Sequence, residues 1–167
     1  FSAIQKIKSI LLAAVEEGKQ IPCDELLDIV YPLFELKTPQ QLFDMLRNLR
    51  SITDLVYAHS LNVAITARML GRWLHLEMHD LNQLTLAGLL HDIGKLTIPE
   101  EILNKPGALS DEEFATMKSH TKRGYDILKN MNLDSRIKKA ALMHHERCDG
   151  SGYPSGLTEE LIDDFAM

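Results

Sequence analysis

Leu81-Asn82-Gln83-Leu84-Thr85-Leu86-Ala87-Gly88-Leu89-Leu90-His91-Asp92-Ile93-Gly94-Lys95 runs from an apolar helical stretch straight into an adjacent imidazole and carboxylate. Asp80 with Gln83 is expected to cap the start of this helix and Gly94 to fix its end, giving a helix over 81–92. Neighbouring side chains on a regular helix diverge by about 100°. At a C-terminus the chain opens, so His91 and Asp92 can reach one cation, which the negative end of the helix dipole favours. His144-His145 repeats the arrangement at the end of a helix expected over about 134–146. A carboxylate has two oxygens and can serve two cations, whereas each imidazole nitrogen serves one, so Asp92 is the natural bridge. Two divalent ions about 3.5–4 Å apart need such a shared anion between them.

Working outward, the periodicity predicts helices throughout. Ile4, Ile7, Ile10, Leu11, Ala14 and Val15 form a first helix that stops at Gly18, and Pro22 opens a second that Tyr31-Pro32 should kink or end. Thr38-Pro39-Gln40-Gln41 marks the start of a third, carrying Leu42, Phe43, Leu46 and Leu49. From about Ile52 to His75 a long helix aligns Ile52, Leu55, His59, Val63, Thr66, Leu70 and Trp73, a face read as inward. Ser110 and Glu113 form a capping box for a helix through Phe114, Met117, His120 and Leu128. Asp149 to Gly156 is a glycine- and proline-rich loop, after which Thr158 is expected to cap a last, unfinished amphipathic helix. No segment alternates in the manner of a strand, so the class is all-α. A boundary is expected near residue 50, between an N-terminal helical segment over 1–50 and a metal-binding body over 51–167.

Bulk properties narrow the function. The chain has 167 residues, 45% hydrophobic and 25% charged, within the ordinary range of a globular domain. A formal net charge of −6 argues against a protein that coats a nucleic acid polymer, while leaving a small phosphorylated substrate open where metal ions supply positive charge. No window has the length of a membrane span, no export signal is visible, and Cys23 and Cys148 are read as reduced thiols; the expected location is cytoplasmic. Phe1 is not an initiator and Met167 falls within the last expected helix, so the chain reads as a segment of a longer protein.

Taken singly, His59 or His120 reads as a hydrogen-bonded core residue. What points to a metal pair is that His59, His91, His120, His144 and His145 all fall with Asp92 at helix ends or inward faces. His75 and His79 also have helical spacing, but His79-Asp80 precedes a helix instead of ending one, and both are assigned to the surface. Imidazole and carboxylate ligands suit iron, manganese or zinc better than calcium.

His91-Asp92-Ile93-Gly94-Lys95, Ile98-Pro99 and His144-His145-Glu146-Arg147-Cys148-Asp149-Gly150-Ser151-Gly152-Tyr153-Pro154 together resemble the HD-GYP family, a branch of the HD phosphohydrolase superfamily. The likeness runs from about His59 to the C-terminus. It implies an HD-type helical bundle and a bacterial phosphodiesterase that hydrolyses cyclic di-GMP to linear pGpG and onward to GMP. By the same resemblance His59, His91 and Asp92 hold one ion and Asp92, His120, His144 and His145 the other, with iron or manganese favoured over zinc or nickel. Asp92 and Lys95 carry the catalytic assignment, Lys95 lying beside the scissile phosphate. The Gly152-Tyr153-Pro154 loop shapes the site and can dock a diguanylate-cyclase partner or neighbouring sensory domain, while Arg123 and Arg147 are candidate phosphate contacts and Cys148 a neutral loop residue.

Two departures from the family pattern stand out. Three-metal members have a glutamate where this chain has Leu55, so two ions are expected. The family supplies a later aspartate ligand from the helix after the Gly-Tyr-Pro loop, which this chain stops short of, and Asp163 and Asp164 come too early to match and read as a solvated face. The alternatives to the phosphodiesterase are a non-hydrolysing cyclic di-GMP sensor and a hydrolase of another cyclic dinucleotide.

Overall fold

The computed structural model describes residues 2–34 and 55–167. Its helices are α1 (Ser2–Glu17), α2 (Cys23–Phe34), α3 (Leu55–Trp73), α4 (Met78–Leu90), α5 (Glu100–Leu103), α6 (Asp111–Lys118), α7 (His120–Leu128) and α8 (Ser135–Met143). Two 3-10 helices, Ile93–Thr97 and Glu159–Leu161, join them. The described residues contain no strand, only an isolated bridge between Asp149 and Thr158, so the all-α class holds. They divide into two compact units, Phe1–Leu89 and Leu90–Met167. The helix start at Thr38-Pro39 lies outside the described residues, as does Ile52.

In the N-terminal unit, Ile4, Ile7, Leu11, Leu26, Val30, Leu61, Ile65, Leu86 and Leu89 form the buried core. Gly18 follows α1 with φ +65°, where a glycine carries no side-chain penalty. Of the kink or end expected at Tyr31-Pro32, the end does not fall there: α2 runs on to Phe34. Proline removes one amide donor, and near the helix end that loss is confined to the last turns. A buried arginine ties three helices together. Arg68 on α3 donates from Nη1 to Asn82 Oδ1 (2.9 Å) and Thr85 Oγ1 (3.1 Å) on α4, and its guanidinium lies 4.9 Å from the centre of the Tyr31 ring on α2.

The inward face read for the long helix is corrected. The buried residues of α3 are Tyr57, Ala58, Ser60, Leu61, Ala64, Ile65, Arg68 and Gly71. Leu55, His59, Thr66, Leu70 and Trp73 are exposed, Trp73 by 69%. The helix carries two apolar stripes, and the one rich in small residues packs because it permits closer approach. At Gly88 on α4 an added Cβ would lie 2.7 Å from Ala64 Cα.

Two helix limits also differ from expectation. α4 begins at Met78, placing Asp80 in its first turn instead of at the cap, and ends at Leu90, so His91 and Asp92 stand in the turn after it. The last expected helix is only a 3-10 turn, Glu159–Leu161, and Thr158 makes no side-chain cap bond. Asp163 then takes backbone and lysine partners that compete with helix: Oδ1 accepts from Phe165 N (3.2 Å) and Oδ2 from Lys139 Nζ (3.1 Å). Its side chain is only 13% exposed, so it is not part of a solvated face, whereas Asp164 is exposed.

Candidate metal centre

The C-terminal unit gathers His91, Asp92, Lys95, His120, His144, His145 and Tyr153. Asp92 takes φ −100°, ψ 11° between α4 and the 3-10 helix, and its carbonyl accepts from Lys95 N (2.9 Å). That turn lies directly against α7. A Cβ on Gly94 would strike the His120 carbonyl oxygen and come within 2.6 Å of Gly124 N, while Gly124 leaves the facing side clear. Two glycines thus set the closeness of Asp92 to His120. Ser110 starts α6 with a complete capping box, as expected, and Ser119 hands α6 on to α7, whose first residue is His120. Asp134 caps α8, whose C-cap is His144.

The side chains converge on the carboxylate of Asp92. His120 Nε2 lies 3.3 Å and His144 Nε2 3.4 Å from Oδ1; His91 Nε2 lies 3.2 Å and Lys95 Nζ 2.7 Å from Oδ2. Ligand atoms of Asp92, His120, His144 and His145 all fall within 4.8 Å of one another. Asp92 and His120 are each about 1% exposed.

The tautomers follow from the partners. His120 Nδ1 is 2.7 Å from the Met117 carbonyl and His144 Nδ1 3.0 Å from that of Ala140. A carbonyl oxygen only accepts, so both Nδ1 atoms carry the proton and both Nε2 atoms of the neutral rings present lone pairs. These two lone pairs face each other at 3.1 Å, beside an anionic oxygen. Three acceptors aimed at one point repel unless a cation lies among them, and this donor set fits a divalent metal ion.

Burial works to raise the pKa of Asp92, but the imidazoles of His120, His144 and His91 that surround it outweigh burial and hold the carboxyl well below the usual range. His145 goes the other way for an imidazole: burial, then the charges of His144 and His120, hold its pKa down at about 4, and burial lowers that of His144 as well. The folded metal-free site therefore refuses protons that the unfolded chain binds between pH 6.5 and about 4. Its stability should fall as pH drops through that window. Melting curves of the metal-free protein test this: the midpoint is expected to decline toward pH 4, less steeply in His145→Gln, and a flat profile would contradict it.

The loop after His145 is fastened to the ligands. Glu146 accepts from Ser155 N (2.7 Å) and Leu157 N (2.8 Å), and Tyr153 N donates to the His145 carbonyl (3.1 Å). Gly152 fits because a Cβ there would lie 2.5 Å from Glu146 Cα. Tyr153, joined to Pro154 by a cis peptide, stacks on His145 with ring centres 4.6 Å apart. Its phenol is pushed up to about 12, first by burial and then by Asp92. The clamp role of Glu146 was not read from sequence, although a carboxylate next to a ligand pair and ahead of a loop rich in unpaired amides is the signal for it.

The remaining candidates are exposed side chains. Arg123 is exposed and donates to the Thr97 carbonyl (2.9 Å); Arg147 lies 3.6 Å from Asp149 at the surface, and Cys148 is exposed. His75 and His79 are exposed, as expected. His59 belongs to the N-terminal unit, on the exposed side of α3. No described helix is long and apolar enough to cross a membrane.

Comparison with known proteins agrees with this architecture. The HD domain family model matches residues 32–166. The cyclic di-GMP phosphodiesterase PA4108 of Pseudomonas aeruginosa is 41% identical over 130 residues, covering 76% of this chain and 31% of that protein. The 3'3'-cGAMP-specific phosphodiesterase 1 of Vibrio cholerae is 36% identical over 137 residues, 79% of this chain and 32% of its own length. A cyclic di-GMP phosphodiesterase of Thermotoga maritima is 52% identical over 85 residues, 48% of this chain and 22% of that one. The chain thus spans about a third or less of the curated relatives it matches. Among solved structures, Bd1817, an HD-GYP-type protein from Bdellovibrio bacteriovorus, shares the fold with a TM-score of 0.80 and 21% identity, over 99% of this chain and 54% of that one. The chain belongs to the HD domain family, and the motifs it carries from His91 to Pro154 place it in the HD-GYP branch.

Proposed function

We propose that this chain forms the centre of a metal-dependent phosphodiesterase that hydrolyses cyclic di-GMP to linear pGpG and onward to GMP. The observation that carries the reading is the meeting of the His120 and His144 Nε2 lone pairs at 3.1 Å beside Asp92 Oδ1, an arrangement that calls for a cation. The names of the relatives from Pseudomonas aeruginosa and Thermotoga maritima support the substrate.

In this reading His59, His91 and Asp92 hold one divalent ion and Asp92, His120, His144 and His145 a second, with iron or manganese the favoured metals. Bound there, the ions would neutralise the phosphate and activate water for attack on phosphorus. Asp92 spans the ligand sets and keeps the imidazoles oriented. Lys95, held 2.7 Å from Asp92 Oδ2, offsets charge on the departing ribose oxygen. Tyr153 and the clamped loop limit water access beside His145, and Gly152 and Pro154 shape the approach. Arg123 and Arg147 supply outer positive charge toward the phosphates, and the loop offers a surface to a cyclase or sensory domain in the whole protein.

Another cyclic dinucleotide is the second reading, favoured by the 36% identity to the cGAMP-specific enzyme. Elemental analysis of the full-length protein, coupled to parallel turnover assays on cyclic di-GMP and 3'3'-cGAMP, tests both. His91→Ala is expected to lose metal and turnover together, while His79→Ala keeps both; equal loss in the two variants would mean the site is misassigned. Metal-free protein that still binds cyclic di-GMP would favour a sensor.

A further inference from the structure

Phe114 and Lys118 stand one helical turn apart on α6, the helix that leads through Ser119 into His120. Phe114 is 48% exposed, a large ring for which neither the core nor the metal centre has a use. It meets Tyr153 edge to face with ring centres 6.5 Å apart, and Tyr153 in turn stacks on His145. Lys118 Nζ lies 4.9 Å from the centre of the Phe114 ring and 6.0 Å from that of Tyr153. A lysine ammonium is strongly hydrated and ordinarily extends into water; here it stays beside two aromatic rings that are continuous with a ligand imidazole.

A cyclic dinucleotide has two purines and two phosphodiesters, and only one phosphodiester can occupy the metal centre at a time. The other half of the molecule needs a binding surface of its own, with a π face for a base and positive charge for a phosphate. We propose that Phe114 and Lys118 are that surface: Phe114 stacks on a purine of the substrate, and Lys118 pairs with the phosphate that is not being cleaved. This rests on the phosphodiesterase reading and adds two substrate-contacting residues to it. Both contacts act in binding, so their loss falls on KM more than on kcat.

The test compares cyclic di-GMP with bis(4-nitrophenyl) phosphate, a diester without purine or second phosphate, on the metal-loaded full-length protein. Phe114→Ala and Lys118→Met should each lower kcat/KM for cyclic di-GMP about tenfold more than for the small ester, with the loss carried in KM. Lys118→Arg, which keeps the charge, should recover most of it. Equal losses on both esters, or no change on either, would overturn the subsite. Failure of the unaltered protein to turn over cyclic di-GMP would refute the hydrolase reading alone. The subsite is then decided by calorimetry with cyclic di-GMP, where the same two variants must weaken binding about tenfold or the assignment is wrong.

Discussion

Asp92→Ala is expected to remove bound metal and reduce turnover to background while leaving the helices folded. The carboxylate is the only anion among the gathered side chains, with both oxygens facing nitrogen partners. Without it, His120 and His144 still present lone pairs 3.1 Å apart, but no carboxylate is left beside them to draw a cation. Replacing even an outer hydrogen-bond partner of a metal ligand weakens metal affinity by about 10- to 100-fold, so loss of the shared ligand should exceed that. Asp92→Asn keeps the shape, removes the charge, and should fail almost as completely. Lys95 loses its ion pair but is 23% exposed and can turn to solvent, so the thermal midpoint should shift little. Full metal content in purified Asp92→Ala protein would disprove the bridging role.

The second large effect is expected at a residue with no functional atoms. Gly94→Ala puts a methyl group into the His120 carbonyl, a backbone atom that cannot swing aside. Overpacking of this kind costs about 1–3 kcal/mol and occasionally more. Relief requires the 3-10 turn to move off α7, and that movement takes Asp92 away from His120. A lowered thermal midpoint and loss of metal should therefore appear together. Gly124→Ala meets its nearest neighbour at 3.3 Å and should cost less. An unchanged midpoint with retained metal in Gly94→Ala would show that the contact is not tight in solution.

How much of this was legible in the sequence depends on the range of the signal. The gathering of His91, Asp92, His144 and His145 could be read because each stands at or just beyond a helix end marked by its own neighbours, whereas His120 was expected inside one helix running from Ser110 to Leu128, which the structure breaks at Ser119 so that His120 opens α7. The buried face of α3 could not, because Leu55, Leu70 and Trp73 are more apolar than the Ala58, Ala64 and Gly71 stripe that is buried. Hydrophobicity favours the larger side chains, while close packing against Gly88 favours the smaller. The shortness of the final turn departs from expectation for a related reason: a local signal was overruled by a partner distant in sequence, Lys139 at Asp163. Gly94 was legible as a stop and illegible as a contact, since nothing in 81–95 announces that α7 will lie across it.

Because Glu146 follows His145 directly and grips the amides of Ser155 and Leu157, the loop and the imidazole behave as one mechanical part. Remodelling that loop would drag the His145 imidazole along with it.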